Sequence, residues 1–447
     1  MRPRVILAVA LGVLLTACRA APPPPNVVVI LVDTLRADHL GVYGNRSGLT
    51  PFVDGFADRG IRYAHAYAGA TWTLPSVASL FTSRWPSQHG VVNLASVLPA
   101  TERTLASVLR ERGFATAGFL ASRSLPAAGG LGQGFEVWEE VVEPGALQGS
   151  GRGLNARAFE WLDARPAADR RPLLLYLHYM EPHFPYEPFP DRLEAALAPY
   201  HFTTEQRAAW DERVGLFLEH AVGEGVGRPD DMPVVRDYYL AAVATADVVL
   251  REVVEGLTAR GILSNAVVVL TADHGEEFYE HGAVGHGTNL FDETLRIPLL
   301  LHAPGRVPEV VPNSVSLLDV APTILELIGA KPEARFEGRS LVRPESREAA
   351  YAELVSTPAG KPATQNRAVV HGDAKLATTP AEQEQFFDLA RDPGERDPDA
   401  LDPSARAALR RALDGFRVRA GRDAGTAERR ELDEETRKRL RALGYVQ

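Results

Sequence analysis

Continuous apolar runs alternate with amphipathic segments along most of this chain. Four of the runs are typical of strands buried on both faces of a sheet, namely 27–32, 114–120, 173–177 and 267–270. Helix-like segments separate them, and the longest covers 238–260. Strands that alternate with helices form mostly parallel sheets between layers of helices, so we predict an α/β fold. Ligand sites in such folds lie at the carboxyl ends of the strands.

Two later segments depart from this alternation. Residues 190–235 are charged and helical, which indicates an insertion in a domain that spans 26–340. Residues 341–447 contain short strand-like runs and a charged, helical tail from 404 to 443. We therefore predict a smaller C-terminal α+β subdomain with a small antiparallel sheet. The predicted strands of that sheet are 351–354, 368–371 and 386–389.

The amino terminus has the pattern of an export signal. Two arginines precede a thirteen-residue apolar run that ends at Ala17, which is short for a bilayer span and typical of a signal-peptide core. Cys18, the only cysteine, follows in a pattern that resembles a bacterial lipoprotein processing box. We predict a signal peptide over 1–17, a lipidated Cys18 with a Pro-rich tether over 18–25, and a lipid-anchored protein of the bacterial cell envelope. An ordinary secretory signal with an incidental cysteine is the alternative.

The overall charge excludes one class of partner. The chain carries a formal net charge of −10. Affinity for nucleic acid comes mainly from clustered Lys and Arg, so we expect no nucleic-acid partner. The charge indicates neither an oligomeric state nor a catalytic role.

Carboxylates and imidazoles follow three of the predicted strands. Asp33 follows the first strand, and Asp273 and His274 follow the last. His178 and His183 follow the strand that ends at residue 177. Taken singly, such an Asp is usually a helix cap and such a His a surface group. Delivered together to one edge of a parallel sheet, these side chains predict a metal site.

Thr73 is the candidate nucleophile. It lies where a helix N-cap belongs, ahead of Pro75 and an apolar helical stripe over 78–81. Its hydroxyl would face unpaired backbone N–H groups and the positive end of a helix, both suited to an oxyanion substrate. A threonine hydroxyl of ordinary pKa is a poor nucleophile, so it needs a metal ion to lower that pKa. The alternative is that Thr73 only caps its helix.

An ordered set of motifs resembles the sulfatases, a branch of the alkaline phosphatase superfamily. The motifs lie at 25–38, 41–44, 74–90, 182–185, 273–275, 296–298, 319–323 and 387–395. The resemblance implies an alkaline-phosphatase-like fold, with its mostly parallel sheet between helices, and a metal-dependent ester hydrolase. Sulfatases carry a Cys or Ser that becomes formylglycine, with an Arg four residues later, where this chain has Thr73 and Val77. We therefore expect no formylglycine.

Other departures lead toward relatives that use an unmodified threonine. The chain has Thr34 and His286 where sulfatases usually have a second Asp and a Lys. The relatives are nucleotide pyrophosphatase-like phosphodiesterases and phosphoethanolamine or glycerol-phosphate transferases. In those transferases a carboxylate, the threonine and an Asp-His pair bind one metal ion. The metal ligands implied for this chain are Asp33, Thr73, Asp273 and His274.

The resemblance also assigns roles to further histidines. His183 and His286 would bind the oxyanion of the substrate, or a weaker second metal, and they join Thr73 as catalytic candidates. His178 is a third candidate for substrate binding. Mixed Asp, Thr and His ligands suit zinc or manganese, and calcium is a poorer match for an imidazole.

These observations predict an enzyme. We expect a hydrolase of phosphate or sulfate esters that acts on a small-molecule, glycan or lipid ester, with phosphodiesterase-like chemistry favoured over sulfate-ester chemistry. A phosphoethanolamine- or glycerol-phosphate-type transferase that acts on a glycan or lipid of the cell envelope is the first alternative. An inactive envelope binding protein is an alternative of another class.

Overall fold

The structure is a computed structural model. The residues that it describes are 23–123, 125–143, 146, 148–198, 201–224, 230, 232–342, 349–356, 364–379, 381–399, 401–422, 425 and 428–431. The predicted signal peptide, Cys18 and the end of the predicted helical tail lie outside the described residues. In the described part of the chain, every helix is too short or too polar to cross a membrane.

Helices and strands alternate through the first three quarters of the chain. The strands are β1 (Asn26–Val32), β2 (Ile61–Tyr67), β3 (Ser96–Val97), β4 (Ala115–Leu120), β5 (Val137–Glu140), β6 (Leu173–Tyr179), β7 (Ala266–Thr271), β8 (Glu277–Phe278), β9 (Val284–Gly285), β10 (Arg296–Ile297), β11 (Leu299–His302), β12 (Glu309–Ser316), β13 (Ala350–Ser356), β14 (Thr364–His371), β15 (Ala374–Thr378), β16 (Glu384–Asp388) and β17 (Glu428–Arg429). The helices are α1 (Pro51–Ala57), α2 (Thr73–Thr82), α3 (Pro86–His89), α4 (Leu105–Glu111), α5 (Gly151–Asp163), α6 (Pro190–Leu197), α7 (Thr204–Glu224), α8 (Met232–Ala259), α9 (Asp292–Leu295), α10 (Val320–Leu327) and α11 (Pro403–Arg422).

A large mixed sheet forms the centre of the molecule. Its strand order is β10-β2-β11-β7-β1-β6-β4-β5, and β12 pairs with β2. Strands β7, β1, β6, β4 and β5 are parallel, and β11 is antiparallel to both of its neighbours. The apolar runs predicted as strands are almost fully buried, as is typical of the central strands of a sheet that lies between helices. The predicted mostly parallel α/β fold is confirmed.

The smaller sheet near the carboxyl terminus is antiparallel, in the order β13-β14-β15-β16. Helix α11 packs against it around Phe386, Leu413 and Phe416. Strand β15 was absent from the predicted set because its polar Lys375 interrupts the apolar pattern. That lysine is fully buried, and its Nζ lies 2.7 Å from the carboxylates of both Asp292 and Glu395. This ion triad joins the small sheet to the large domain.

Candidate active site

The chemistry-bearing residues converge at one edge of the large sheet. Asp33 directly follows β1, and its backbone N–H donates to the carbonyl of Tyr179 at the end of β6. Asp273 and His274 lie just beyond β7, which pairs with the other side of β1. Because these strands are parallel, their carboxyl ends deliver the three side chains to one place.

Thr73 reaches the same place from the amino end of α2. The N-cap of this helix is Trp72, with φ −157° and ψ 160°, so Thr73 is the first helical residue and the predicted N-cap was one residue late. The Trp72 carbonyl accepts the first helical hydrogen bond, from the N–H of Ser76. The Ser76 hydroxyl donates to the carbonyl of Asp273 at 2.6 Å, which ties the helix start to the end of β7.

Four predicted metal ligands form one buried cluster around the His274 ring. His274 Nε2 lies 3.2 Å from Thr73 Oγ1, 3.4 Å from Asp33 Oδ1 and 3.3 Å from Asp273 Oδ2. Ligands about 2.0–2.1 Å from a tetrahedral ion lie about 3.3 Å apart, so these spacings fit a divalent cation. His274 Nδ1 donates to the carbonyl of Gly275 at 2.9 Å, which leaves the lone pair of Nε2 directed at the cluster.

Two carboxylate oxygens support this interpretation. Among the described residues, Asp33 Oδ1 and Asp273 Oδ2 are buried and have no hydrogen-bond partner. Buried polar atoms without a partner are costly, and a cation would satisfy both of these oxygens. Asp273 Oδ1, in contrast, accepts from the backbone N–H groups of Thr34 and His274. The residues present therefore fit the divalent metal that the predicted chemistry requires.

Three further histidines surround this cluster. His183 Nδ1 donates to its neighbouring carbonyl, and its ring centre lies 5.3 Å from that of His286. The His286 ring lies 4.4 Å from His274, and its Nδ1 lies 2.9 Å from a carboxylate oxygen of buried Glu276. His178 belongs to β6 because that strand runs two residues beyond its predicted end, and its Nε2 lies 3.1 Å from Asp33 Oδ2. Every predicted site residue that the structure describes is thus brought together.

The cluster perturbs the titration of its members. Burial alone would raise the pKa of Asp33, but the neighbouring imidazoles together bring it below its ordinary value. Burial and the charge of Asp33 raise the pKa of Asp273 well above its ordinary value. Burial and the nearby charge of His286 lower the pKa of His274 to about 3, and burial also lowers the pKa of His183. For His286, the carboxylate of Glu276 outweighs burial and raises the pKa. Two carboxylates that share one buried site repel each other unless a cation lies between them.

A bound metal ion should relieve this repulsion between the carboxylates of Asp33 and Asp273. We therefore expect metal binding to raise the thermal stability of the protein. Zinc at about 1,000 times its dissociation constant should stabilise the folded protein by about 4 kcal/mol. Asp273→Asn should make the metal-free protein more stable than the wild type, and should remove most of the gain from zinc. Scanning calorimetry with zinc and with a chelator measures both effects. Equal gains from zinc in the two proteins would contradict the proposed ligand set.

A second group of acidic residues and a histidine is an ion pair. Glu277, His281 and Glu293 could hold a cation by distance. However, His281 Nδ1 lies 2.6 Å from Glu293 Oε1, and its Nε2 lies 3.2 Å from the carbonyl of Glu395. Glu277 accepts from the N–H groups of His281 and Ala283. Both ring nitrogens face acceptors, so the doubly protonated imidazolium satisfies this arrangement.

The His281 ion pair predicts a dependence of stability on pH. Burial lowers the pKa of His281, but Glu293 and the carbonyl of Glu395 outweigh it and raise the pKa above 6.5. A raised folded-state pKa gives stability that is complete below about pH 6.5 and is lost as the pH rises through the higher folded value. We expect the free energy of unfolding to fall over that range, and to fall less in His281→Gln. Urea unfolding from pH 6 to pH 9 tests this, and parallel pH profiles would contradict it.

Sequence reasoning missed two residues that contact the site. The Tyr176 hydroxyl is hydrogen-bonded to His178 Nδ1 at 2.8 Å, and a Glu276 carboxylate oxygen lies 2.9 Å from His286 Nδ1. The alternation of β6 places residues 176 and 178 on one face, which is a signal for the first pair. The Glu276 contact depends on how the loop after β7 folds back, for which the sequence has no local signal.

Known proteins show the same fold and family. A sequence model of the sulfatase family matches residues 25–330, and a model named N-sulphoglucosamine sulphohydrolase, C-terminal, matches residues 280–414. The ulvan-active sulfatase of Formosa agariphila is 25% identical over 413 residues, which cover 83% of this chain and 76% of that protein.

Two solved structures superpose over most of their length. A protein in complex with its substrate D-glucosamine-2-N,6-O-disulfate has a TM-score of 0.73 at 19% identity, covering 90% of this chain and 99% of that one. The phosphonate monoester hydrolase of Agrobacterium radiobacter has a TM-score of 0.70 at 20% identity, covering 89% and 95%.

The sheet between its layers of helices has an alkaline-phosphatase-like fold, and its carboxyl edge holds a buried group that could bind a metal ion, Asp33, His178 and Asp273. This chain belongs to the sulfatase family, whose members hydrolyse sulfate and phosphate esters. The predicted family and the predicted enzyme class are both confirmed.

Proposed function

We propose that this chain hydrolyses phosphate or sulfate esters with Thr73 as the nucleophile, and that phosphoesters are the better substrates. One observation carries the proposal. The Thr73 hydroxyl lies 3.2 Å from His274 Nε2 and 3.3 Å from Asp33 Oδ2, inside the ligand cluster and at the start of a helix. Helix α2 begins at Thr73, so the hydroxyl lies at the amino end of the helix and among the candidate ligands at the same time.

The ligand set favours zinc or manganese over calcium. His274 contributes an imidazole nitrogen, which the harder calcium ion takes poorly. Thr34 stands where sulfatases usually have a second ligand Asp, and its hydroxyl donates to the carbonyl of Asp33 at 2.8 Å. The cluster therefore has fewer oxygen ligands than the six to eight that calcium takes. A bound divalent ion would lower the pKa of the Thr73 hydroxyl, so that its proton leaves to solvent, and would neutralise charge that develops on the substrate.

The residues of the site support a two-step displacement. Thr73 Oγ1 attacks phosphorus, the bond from phosphorus to the leaving oxygen breaks, and a covalent threonyl ester forms. His183 and His286 stabilise the negative oxygens of the transferred group. One of these imidazoles gives its proton to the leaving oxygen, and then takes a proton from the water that hydrolyses the threonyl ester. The contact with Glu276 fixes the orientation of His286 for this work.

Two substitutions favour phosphoester over sulfate-ester chemistry. Oxidation of Thr73 would give a ketone, whereas the formylglycine of sulfatases is an aldehyde. Val77 is apolar and fully buried at the position where sulfatases have an Arg. The chain thus lacks the residue that becomes formylglycine and the Arg that accompanies it, and this favours the unmodified threonine nucleophile of the phosphodiesterases that it resembles.

A substrate panel tests the preference. The purified full-length protein is freed of metal and assayed with zinc, manganese or calcium on 4-nitrophenyl esters that share one leaving group: a phosphodiester, a phosphate monoester, a phosphonate monoester and a sulfate. We expect zinc or manganese to restore turnover, and the phosphodiester to be the best substrate. Acid-quenched protein should carry a threonyl adduct by peptide mass spectrometry. A higher turnover of the sulfate would overturn the preference, and no turnover with no bound metal would favour an envelope binding protein.

A transferase is the second candidate. Its support is the twelve-residue spacing from His274 to His286, which the phosphoethanolamine transferases share, together with the contact of the two rings. The same assay with added glycan or lipid alcohols distinguishes the two activities. A transferase would give the alcohol ester as its main product, and a hydrolase would give free phosphate.

We also propose that the protein is exported and held at the bacterial cell envelope by a lipid on Cys18, where it would meet small-molecule, glycan or lipid esters. The support is the sequence pattern around Cys18. Cys18→Ala should move the protein from the membrane fraction to the soluble fraction of the cell envelope. An unchanged membrane fraction would reject the lipid anchor.

A further inference from the structure

A line of three buried side chains runs through β6 to the metal cluster. The hydroxyl of Tyr176 lies 2.8 Å from His178 Nδ1, and His178 Nε2 lies 3.1 Å from Asp33 Oδ2. All three residues have 0% exposed surface. His178 is near enough to Asp33 and Asp273 to be a metal ligand itself. However, both of its ring nitrogens already lie beside side-chain oxygens, and the enclosed ring is poorly placed to contact a substrate.

The proton positions along this line follow from simple chemistry. Asp33 is ionised when it binds a metal, so its oxygens only accept hydrogen bonds. His178 Nε2 must then carry the proton that it shares with Asp33. When the ring carries this single N–H, Nδ1 accepts, and the Tyr176 hydroxyl 2.8 Å away is its donor. Burial raises the pKa of Tyr176 well above its ordinary value, which keeps that hydroxyl protonated.

Aromatic packing fixes the start of this line. The Tyr176 ring stacks on Trp138 with an interplanar angle of 2° and a centroid distance of 5.9 Å. Phe81 contacts it edge-on at 4.9 Å. A ring held on two sides keeps its hydroxyl oxygen beside His178 Nδ1, and this contact orients the imidazole.

The two oxygens of Asp33 consequently have different surroundings. Oδ2 accepts from His178 and from the Thr73 hydroxyl. Oδ1 faces the cluster, 3.4 Å from His274 Nε2. A carboxylate held by one oxygen in this way offers the other to a metal ion as a single, oriented ligand.

We propose that Tyr176 and His178 are positioning residues that set the orientation of Asp33 for metal binding, and that His178 contacts neither the metal nor the substrate. The inference rests on the proposed metal site and deepens it. Outer residues that orient metal ligands typically contribute about 10–100-fold to metal affinity.

Metal affinity, measured apart from turnover, tests the inference. The dissociation constant of zinc is determined by chelator competition for the full-length wild type and for four variants. His178→Ala should weaken binding by about 10–100-fold, and Tyr176→Phe by about 10-fold or less. His178→Gln places an amide N–H near the position of Nε2 and should recover most of the affinity, whereas His178→Asn, whose amide is too short, should not.

The outcomes separate this inference from the proposed function. Cobalt-substituted wild type and His178→Ala should show the same number of nitrogen ligands by X-ray absorption; loss of one nitrogen would make His178 a direct ligand and overturn the inference. Dissociation constants within twofold of the wild type in all four variants would also overturn it, and would leave the proposed function intact. A wild type that binds no zinc would overturn both. Unfolding curves of the metal-free variants show whether each one is folded before its affinity is interpreted.

Discussion

Thr73→Ala should lower metal-dependent turnover of the best ester by at least about 10³-fold, because removal of a covalent nucleophile leaves only binding and electrostatic effects. The variant also lacks one ligand of the cluster, so its affinity for zinc should fall. Helix α2 should persist, because Trp72 is its N-cap and alanine is a good helix former at the first helical position. Steady-state kinetics on the phosphodiester and chelator competition for zinc measure the two effects.

Thr73→Ser is the matched control for this prediction. Serine keeps an oxygen at the same position, so it should retain zinc binding and a measurable part of the turnover. Peptide mass spectrometry should find the covalent adduct on the new serine and none at this position in Thr73→Ala. Turnover of Thr73→Ala above a tenth of the wild-type value would reject Thr73 as the nucleophile.

Lys375→Met should lower the free energy of unfolding by about 3–5 kcal/mol, the usual cost of removing one partner from a buried ion pair. The lysine is fully buried, and both of its carboxylate partners lie 2.7 Å from its nitrogen. Methionine fills similar volume, so the loss comes from leaving Asp292 and Glu395 close together without a cation. Urea unfolding followed by circular dichroism measures the change.

The double variant Lys375→Met with Glu395→Gln is the control for a charge effect. Without the lysine, Asp292 and Glu395 repel each other, so neutralising Glu395 should restore part of the lost stability. Neither substitution adds a new contact. A loss below about 1 kcal/mol in Lys375→Met would mean that the triad does not stabilise the junction between the two sheets. Because Asp292 begins helix α9 of the large domain, loss of the triad should loosen the small sheet and raise its sensitivity to protease.

The fold could be predicted from the sequence because it depends on local patterns, and the same patterns predicted which side chains would lie close together. Apolar runs predicted the parallel strands, and the ends of β1 and β7 then placed Asp33, Asp273 and His274 together without any knowledge of the loops. The hydrogen-bond partners of the site residues could not be predicted, because they depend on how distant segments fold against one another. The contact between Glu276 and His286 needs the folded loop, and the orientation of His178 needs the true end of β6.

Buried charge was also hard to predict, for a physical reason. A lysine in a short apolar run usually marks a surface position, because an unpaired ammonium group is costly to bury. Lys375 is buried because Asp292 and Glu395, both distant in the sequence, arrive beside it. Its strand was therefore missed, and a triad of distant charges can be predicted only once the fold is known.

The central position of β1 in the large sheet determines at which stage of folding the proposed metal site can form. Thr34 and Asp273 are hydrogen-bonded neighbours across 239 residues of chain, and Thr73 and His274 across 201. The proposed ligand cluster therefore stays incomplete until β7 has paired with β1. Contacts between residues so far apart in the sequence form slowly. If the protein is exported unfolded, as the proposed signal peptide would imply, it carries no ion through the membrane in this site. It would then acquire its ion where folding is completed, and the metal supply of that compartment would determine which ion it binds.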